Sequence, residues 1–369
     1  MPSYCVWKHR PEALYHTIDM KTNNLFKKEN SVTKAILFAV LAALLYALMT
    51  PVSKLLQTAV PPVAEAGLLY LGAGLGMTVI VAVRKAARVH SDKTVKLQSG
   101  QGAESASGGA ASAADVSAGR FFAGTKRPSI GRADLKYVLA MIALDAAAPI
   151  LLLLGLSMCA PESVSLLNNF EIVATAVIAA ALFREKIGRR LAASIGIITL
   201  SCILLSLDGG LFAGGLTADG VFAFSKGSLF VIGACVCWGF ENNCTSSLSD
   251  KDTCQIVLIK GLGSGTASLI ISAAVGERLP GLTGCLPVLV LGFLAIGLSV
   301  YFYVLAQNRI GAARTSSYYA VAPFIGVLLA LLFFREMPGV LFWAALAVMA
   351  LGVWLNVRDA QMAERNSSK

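Results

Sequence analysis

Long apolar segments alternate with short polar segments over most of this chain. Ten of the apolar segments are about 20 residues long, which at about 1.5 Å rise per residue is the length that an α-helix needs to cross a bilayer. These predicted spans, numbered 1 to 10 in chain order, cover roughly residues 34–53, 64–83, 136–158, 162–183, 190–207, 227–248, 254–275, 286–306, 312–334 and 339–357. The pattern predicts an all-α polytopic membrane protein with ten transmembrane helices.

A sequence repeat relates the two halves of the chain. FREKIG at 183–188 and FREMPG at 334–339 each follow an apolar run, and they lie 151 positions apart. KAILF at 34–38, where span 1 begins, corresponds to KGSLF at 226–230, where span 6 begins. We therefore predict two repeats of five spans each, the first over 34–207 and the second over 226–357.

The distribution of basic residues predicts how the spans are oriented. With the N-terminus inside, 26 of the 31 lysine and arginine residues lie in cytoplasmic segments, in agreement with the positive-inside rule. Lys260 lies within span 7, and the outer side holds Lys54, Lys226, Arg278 and Arg335. We expect both termini in the cytoplasm. Because each half has an odd number of spans, the second repeat should enter the membrane inverted relative to the first.

The composition agrees with a membrane protein. The chain is 56% hydrophobic and 14% charged with a mean hydropathy of +0.70, whereas soluble domains are about 25% charged. The net charge of +10 comes from basic residues that flank the apolar runs rather than from one polar face, which argues against nucleic-acid binding. We expect the basic residues near 84–88 and 126–136 to contact anionic lipid headgroups.

Three predicted cytoplasmic segments lie outside the repeats or between their spans: the N-terminal segment 1–33, a linker at about 85–133, and a tail at 358–369. Residues 98–119 are rich in Gly, Ala and Ser and have almost no large apolar side chain, so we expect the linker to be flexible. The first 33 residues lack the apolar core of a signal peptide. A second possible start at Met20 leaves open whether residues 1–19 belong to the native protein.

The sequence has no pattern for catalysis, metal binding or cofactor binding. Its eight cysteines form no C-x-x-C pair, its three histidines fall outside the spans, and it lacks H-E-x-x-H. It also lacks the phosphate-binding motif G-x-x-x-x-G-K-[ST] of ATP-driven pumps. We expect no enzyme activity, no cofactor and no metal, so any transport would draw its energy from a solute or ion gradient.

Two acidic residues lie near the middle of predicted spans. An ionisable side chain there costs about 2.5–3.5 kcal/mol on insertion scales, so it usually faces a cavity or a partner. Asp145 is in span 3, and Glu171 in span 4 shares a helical face with Asn168 and Thr175. Both acids are candidates for the transport pathway and for carrying a proton. The alternatives are a structural hydrogen bond for Glu171 and, for Asp145, a role in the helix kink at Pro149.

Span 6 carries a second group of polar candidates. Trp238 and Asn242 share a helical face, and Asn243 lies beside them. An aromatic ring together with amide groups suits a site for a small polar organic solute. The alternative is a belt of aromatic and polar side chains at the membrane interface.

The remaining candidates are a lysine and two tyrosines. Lys260 lies two turns into span 7, where it could snorkel to the inner surface, pair with Glu171 or Glu241, or meet a substrate carboxylate. Tyr318 and Tyr319 are the repeat counterparts of two residues in span 4 next to Glu171, so we expect them to face the same cavity from the other half.

Three longer segments carry a resemblance to a known family: LLLLGLSMCAPESVSLLNNFEIVATAVIAAALFREKIGRR at 151–190, WGFENNCTSSLSDKDTCQIVLIKG at 238–261, and IGAARTSSYYAVAPFIG at 310–326. They resemble the two EamA repeats of the bacterial drug/metabolite transporter superfamily, and the resemblance extends over most of 34–357. It implies ten helices in two inverted five-helix repeats, a central cavity, and transport of small metabolites, often export of amino acids. Glu171, Asn242, Asn243 and Lys260 match positions that such relatives commonly share. The long linker departs from the family pattern, as do the serines at 246–247.

The sequence therefore predicts a secondary active transporter, and more specifically an exporter, of amino acids or drug-like solutes in the cytoplasmic membrane. A metabolite or nucleotide-sugar antiporter is an alternative, although it would need more basic residues at mid-membrane depth than Lys260. A membrane scaffold or receptor without transport activity is another, and it would leave the acids within the spans unexplained. Neither the substrate nor the choice between proton coupling and exchange follows from the sequence.

Overall fold

The structure is a computed structural model that describes residues 33–100, 130–184, 187–211, 225–248, 251, 253–310 and 312–367. Within these ranges the regular secondary structure is entirely helical. Ten helices follow one another: α1 Thr33–Leu56, α2 Pro62–Gly100, α3 Leu135–Met158, α4 (Pro161–Leu167 and Phe170–Phe183), α5 Arg189–Leu211, α6 Lys226–Ser246, α7 Thr253–Ala274, α8 (Leu282–Gly292, the π-helical Phe293–Leu298 and Ser299–Ile310), α9 (Ala312–Tyr319 and Ala322–Phe334) and α10 Val340–Ser367.

Nine of these helices are long and apolar enough to cross a membrane, counted over the described ranges. The helix that does not qualify is α6, which has 21 residues but carries the consecutive polar residues Glu241, Asn242 and Asn243. These side chains lower the mean hydropathy of α6. The helix packs between α3 and α4. An all-helical membrane fold is thus confirmed, and the tenth span stays a prediction.

Two helices extend beyond the predicted spans. Helix α2 continues to Gly100, past residue 85 where the predicted linker begins, and α10 continues to Ser367 through most of the predicted tail. Both extensions are rich in Ala, Arg, Lys, Gln or Glu, which are good helix formers, so helix propensity outweighs the lack of an apolar face. The remaining part of the predicted linker, 101–129, and the N-terminal residues 1–32 lie outside the described residues.

Helices α4 and α9 share two local features at nearly the same position of the repeat. Each is interrupted partway, α4 after Leu167 and α9 after Tyr319. Each also ends at an arginine in the left-handed region, Arg184 with φ 56° and Arg335 with φ 54°. A residue in this conformation ends a helix by turning the chain away from it, a position that glycine usually occupies. The Phe-Arg pairs 183–184 and 334–335 of the repeat therefore adopt the same helix end in both halves.

The main helix contacts pair one half of the chain with the other. Helix α2 packs against α7, α5 against α10, and the first piece of α4 against the second piece of α9. Helix α3 packs against α6, and the equivalent pair, α1 and α8, meets where Phe38 stacks on Phe302 with ring centroids 5.4 Å apart. The set of pairs is unchanged when the two halves are exchanged. The interface between the halves thus runs through the whole helix bundle.

Glycines bring the backbones of α2, α7 and α8 together. A Cβ atom added at Gly261 of α7 would lie 2.5 Å from the Cα of Gly74 in α2. On another face of α2, a Cβ at Gly72 would lie 2.1 Å from the carbonyl oxygen of Leu289 in α8. Neither position has room for a side chain, so these contacts depend on glycine.

Candidate functional site

A buried ion network joins three helices at the interface between the halves. Lys260 of α7 lies between two carboxylates, with its Nζ 3.1 Å from Oδ2 of Asp145 in α3 and 2.9 Å from Oε1 of Glu241 in α6. The two acidic side chains are 1% and 3% exposed, whereas the lysine side chain retains 23% exposure. The lysine side chain is thus the most accessible member of the network, and the two acids are almost completely buried. With two carboxylates to one ammonium, the network has an excess of negative charge when all three groups are ionised.

Neutral donors extend this network on both sides. The hydroxyl of Tyr70 in α2 donates to Oδ1 of Asp145 at 3.2 Å, and Nε1 of Trp238 donates to the Tyr70 oxygen at 3.5 Å. Thr245 donates to Oε1 of Glu241. The contact of Lys260 with Oδ2 of Asp145 is an ion pair without hydrogen-bond alignment, because Oδ2 has no hydrogen-bond partner among the described residues. The chain of contacts therefore links α2, α3, α6 and α7.

This geometry shows which acidic side chains contact Lys260. Lys260 forms an ion pair with Glu241, which was one of the partners that the sequence offered. It also forms an ion pair with Asp145, which the sequence did not indicate as its partner. It does not pair with Glu171. Pro149 lies within α3, four residues after Asp145, so a structural role for Asp145 at the helix kink is compatible with its ion pair.

A second polar network connects α6 with α4. Nδ2 of Asn242 donates to Oε1 of Glu171 at 2.7 Å and to Oγ1 of Thr175 at 3.2 Å. Nδ2 of Asn243 donates to the carbonyl oxygen of Thr175 at 3.2 Å and to that of Gly239 at 2.8 Å. Glu171 and Thr175 thus share a helical face, as predicted, and that face meets the asparagine pair of the other half.

The interruption of α4 places Glu171 at the start of a helical piece. The helix breaks at Asn168 and Asn169 and resumes at Phe170. The side-chain amide of Asn169 donates to the carbonyl of Leu166 at 3.0 Å, which satisfies one carbonyl at the break. Asn168 lies at the break itself, with its oxygen 3.9 Å from the sulfur of Cys235 in α6. Glu171 therefore occupies the first turn of the second piece, where the partial positive charge of a helix N-terminus favours a carboxylate.

Three tyrosines from both halves form a cluster near Glu171. The ring of Tyr319 in α9 lies 5.6 Å from that of Tyr46 in α1 and 5.1 Å from that of Tyr303 in α8, measured between centroids. Glu171 interacts electrostatically with the hydroxyls of Tyr46 and Tyr319. Tyr318 is 37% exposed and makes no ring contact with Tyr46 or Tyr303. Of the two adjacent tyrosines, the structure thus places Tyr319 in this cluster and leaves Tyr318 outside it.

Tyr46, Tyr70 and Tyr303 are site residues that the sequence did not single out. All three lie within apolar spans, where a phenol hydroxyl needs a hydrogen-bond partner, and this need is the signal that could have found them. Among the described residues, no group of three or more His, Cys, Asp or Glu is arranged to hold a metal ion.

Comparisons with known proteins bear on the family and the fold. Residues 225–358 match the model of the EamA-like transporter family. Among solved structures 23 chains match. One of them, titled only "Crystal structure of protein", is 16% identical with a TM-score of 0.54, and the match covers 89% of this chain and 97% of that one. No curated protein matches the sequence. At this identity the structural likeness indicates the fold alone.

Proposed function

Because this chain is an EamA-type transporter of the drug/metabolite transporter superfamily, with residues 225–358 matching the family model, we propose that it is a secondary active transporter of the cytoplasmic membrane. Its substrate is a small polar metabolite, and export is the proposed direction. Both termini lie in the cytoplasm. The ten helices form two inverted five-helix repeats, and alternating access comes from movement of one repeat against the other.

Two features support the inverted-repeat arrangement. The set of helix pairs stays the same when the halves are exchanged, which is expected of two repeats related by a pseudo-two-fold axis. The interruptions of α4 and α9, and the arginines that end them, recur at matching repeat positions.

The observation that carries the proposal is that both polar networks cross between the halves. Asp145 and Glu171 belong to the first half, and their partners Lys260, Glu241 and Asn242 belong to the second. Movement of one half against the other must therefore break or exchange these contacts. A solute that replaces them in one arrangement and not in the other would shift the equilibrium between the two arrangements.

The charges favour a substrate with an amino group, such as an amino acid. Lys260 is neutralised by two carboxylates, so it is poorly placed to attract an anion. Glu171 and the tyrosine rings near it could instead receive an ammonium group, through charge and through the ring faces. This arrangement argues against a nucleotide-sugar antiporter, whose substrate carries phosphates.

Glu171 is the proposed proton carrier. Its hydrogen-bond donor is the neutral amide of Asn242, whereas Asp145 already has the charge of Lys260 as a partner. A carboxyl group without a paired cation can gain and lose a proton at lower cost than one held in an ion pair.

The test is transport by the purified protein in liposomes. Radiolabelled amino acids and nucleosides are offered with and without an imposed proton gradient. We expect accumulation of an amino acid that needs the gradient. Glu171→Gln should abolish gradient-driven accumulation but retain exchange of internal for external substrate, because Gln keeps the hydrogen bond to Asn242 and cannot carry a proton. Normal uphill transport by this variant would exclude Glu171 as the carrier. Absence of any transport by the folded wild-type protein would favour a scaffold or receptor.

A further inference from the structure

A separate group of buried polar side chains lies where α1 meets α2. Glu65, in the first turn of α2, and Ser53 of α1 are both 0% exposed, and Gln57 follows the last residue of α1. Ser53 and Gln57 are the side chains that face the Glu65 carboxyl. Both carboxyl oxygens, the Ser53 hydroxyl oxygen and the Gln57 amide oxygen are buried without a hydrogen-bond partner among the described residues.

Burying these four oxygen atoms without hydrogen-bond partners costs free energy of folding. An unsatisfied buried polar group costs about 1–3 kcal/mol, and more when it is charged. The Gln57 amide nitrogen donates to the carbonyl of Leu153 at 2.9 Å, while its oxygen has no donor among the described residues. An ionised Glu65 would place a full negative charge in this buried group, beside the unsatisfied oxygens of Ser53 and Gln57.

The charged groups on neighbouring elements are bound elsewhere. Lys54 of α1 donates to the carbonyl oxygens of Leu156 and Cys159. Glu277, which follows α7, accepts hydrogen bonds from the backbone N–H groups of Val63 and Ala64 at 3.3 and 2.7 Å.

From α8, the thiol of Cys285 donates to the carbonyl of Pro280. From α3, the acidic residue Asp145 is bound to Lys260 and Tyr70. No cation from these elements is thus directed at Glu65.

We propose that Glu65 is a proton-binding site, occupied in this conformation. As a carboxylic acid, Glu65 donates its proton to the amide oxygen of Gln57, and its carbonyl oxygen accepts from the hydroxyl of Ser53. One proton, taken up from water, thereby gives a partner to all four oxygens. The site stands apart from the proposed substrate site and does not depend on the substrate proposed there.

A proton fits this site better than a metal ion does. It needs no added volume at side chains that are fully buried, and two hydrogen bonds complete the arrangement. Hard metal cations in proteins commonly take six or more oxygen ligands, and these three side chains offer four oxygen atoms. Because neither Glu65 nor Ser53 is exposed, release of the proton requires α1 and α2 to separate and admit water.

Infrared spectroscopy of the purified protein tests the proposal directly. Wild type should show the C=O stretching band of a protonated carboxylic acid at neutral pH, and Glu65→Gln should lose it. Gln has the volume of Glu and repeats both hydrogen bonds, donating to Gln57 and accepting from Ser53, so the variant should fold. The matched control is Glu277→Gln, which removes a nearby carboxylate that accepts backbone N–H bonds and should leave the band intact. An unchanged band in Glu65→Gln would overturn the proposal.

Two further measurements keep the proposal falsifiable if Glu65→Gln folds poorly. Ser53→Ala removes the donor to the acid's carbonyl oxygen and should move the band to higher frequency; an unmoved band would contradict the assigned hydrogen bonds.

Thermal unfolding in sodium chloride and in choline chloride at neutral pH distinguishes the bound ion. Equal melting temperatures in the two salts support a proton. A sodium-dependent rise in wild type that Glu65→Gln lacks would show that the site holds sodium instead.

Discussion

Replacing Lys260 by methionine should expose how strongly the ion network holds the halves together. Met has nearly the length of Lys and no charge, so it leaves Asp145 and Glu241 buried at 1% and 3% exposure with no cation between them. Removing one partner of a buried ion pair costs about 3–5 kcal/mol. Because the Lys260 side chain is 23% exposed and not fully buried, we expect the lower end, about 3 kcal/mol. This corresponds to roughly a 100-fold change in the unfolding equilibrium.

Asp145→Asn, made in wild type and in Lys260→Met, separates a role of Asp145 in the ion network from a role at the helix kink alone. In wild type, Asp145→Asn should cost about 1 kcal/mol, since Lys260 keeps Glu241 as its partner and Asn can still accept from Tyr70. In the Lys260→Met protein the same change should restore about 1–2 kcal/mol, because it removes an unpaired buried charge. The sign of the effect of Asp145→Asn thus depends on whether Lys260 is present.

The assay is denaturation of the four purified proteins in mixed detergent micelles, followed by tryptophan fluorescence, since Trp238 lies beside Tyr70 in the same network. If Asp145 acted only on the helix kink at Pro149, Asp145→Asn would have the same effect in both backgrounds. Additive free energies of unfolding, or a Lys260→Met protein as stable as wild type, would refute the reasoning.

Three further expectations concern the fold and topology. A reporter fused after Lys369 should report the cytoplasm, and one placed within 209–220 the outer side; export of the first reporter would contradict the ten-span arrangement. Deleting residues 101–119 should leave expression and transport within a few-fold of wild type, and loss of folding would show that the segment has a structural role. Gly261→Val should greatly reduce folded protein, because its Cβ would lie 2.5 Å from Gly74, while Gly196→Val, where a Cβ meets nothing within 4 Å, is the control.

The amino-acid sequence is sufficient to predict the helices and to single out most of the polar residues that the two networks contain, for a physical reason. A span of about 20 apolar residues is hard to mistake, and a charged residue inside it is costly enough to indicate a function. For that reason Asp145, Glu171 and Lys260 stand out as candidate site residues from the sequence alone.

Partners cannot be predicted in the same way. Which acid pairs with Lys260 depends on how α3, α6 and α7 are rotated and shifted against one another, and spacing along one helix does not contain this information. Tyr318 and Tyr319 differ in their surroundings because the interruption of α9 follows directly after them. Glu65 gives no signal in the sequence because it lies one residue inside the predicted start of span 2, where an acidic side chain normally reaches water, whereas the structure buries it completely.

The interruptions of α4 and α9 match in the backbone but not in side chains, and this difference bears on the energies of a transport cycle. Glu171 lies at the start of the second piece of α4, and its counterpart 151 positions later is Ala322 at the start of the second piece of α9. In a carrier built from two identical inverted repeats, the inward-facing state and the outward-facing state would have equal free energies. Here the acidic side chain is present in only one of the two repeats, so we expect the two states of the proposed carrier to differ in free energy. A difference of only about 1.4 kcal/mol would give the empty protein roughly a tenfold preference for one facing direction, which bound solute or proton would have to offset.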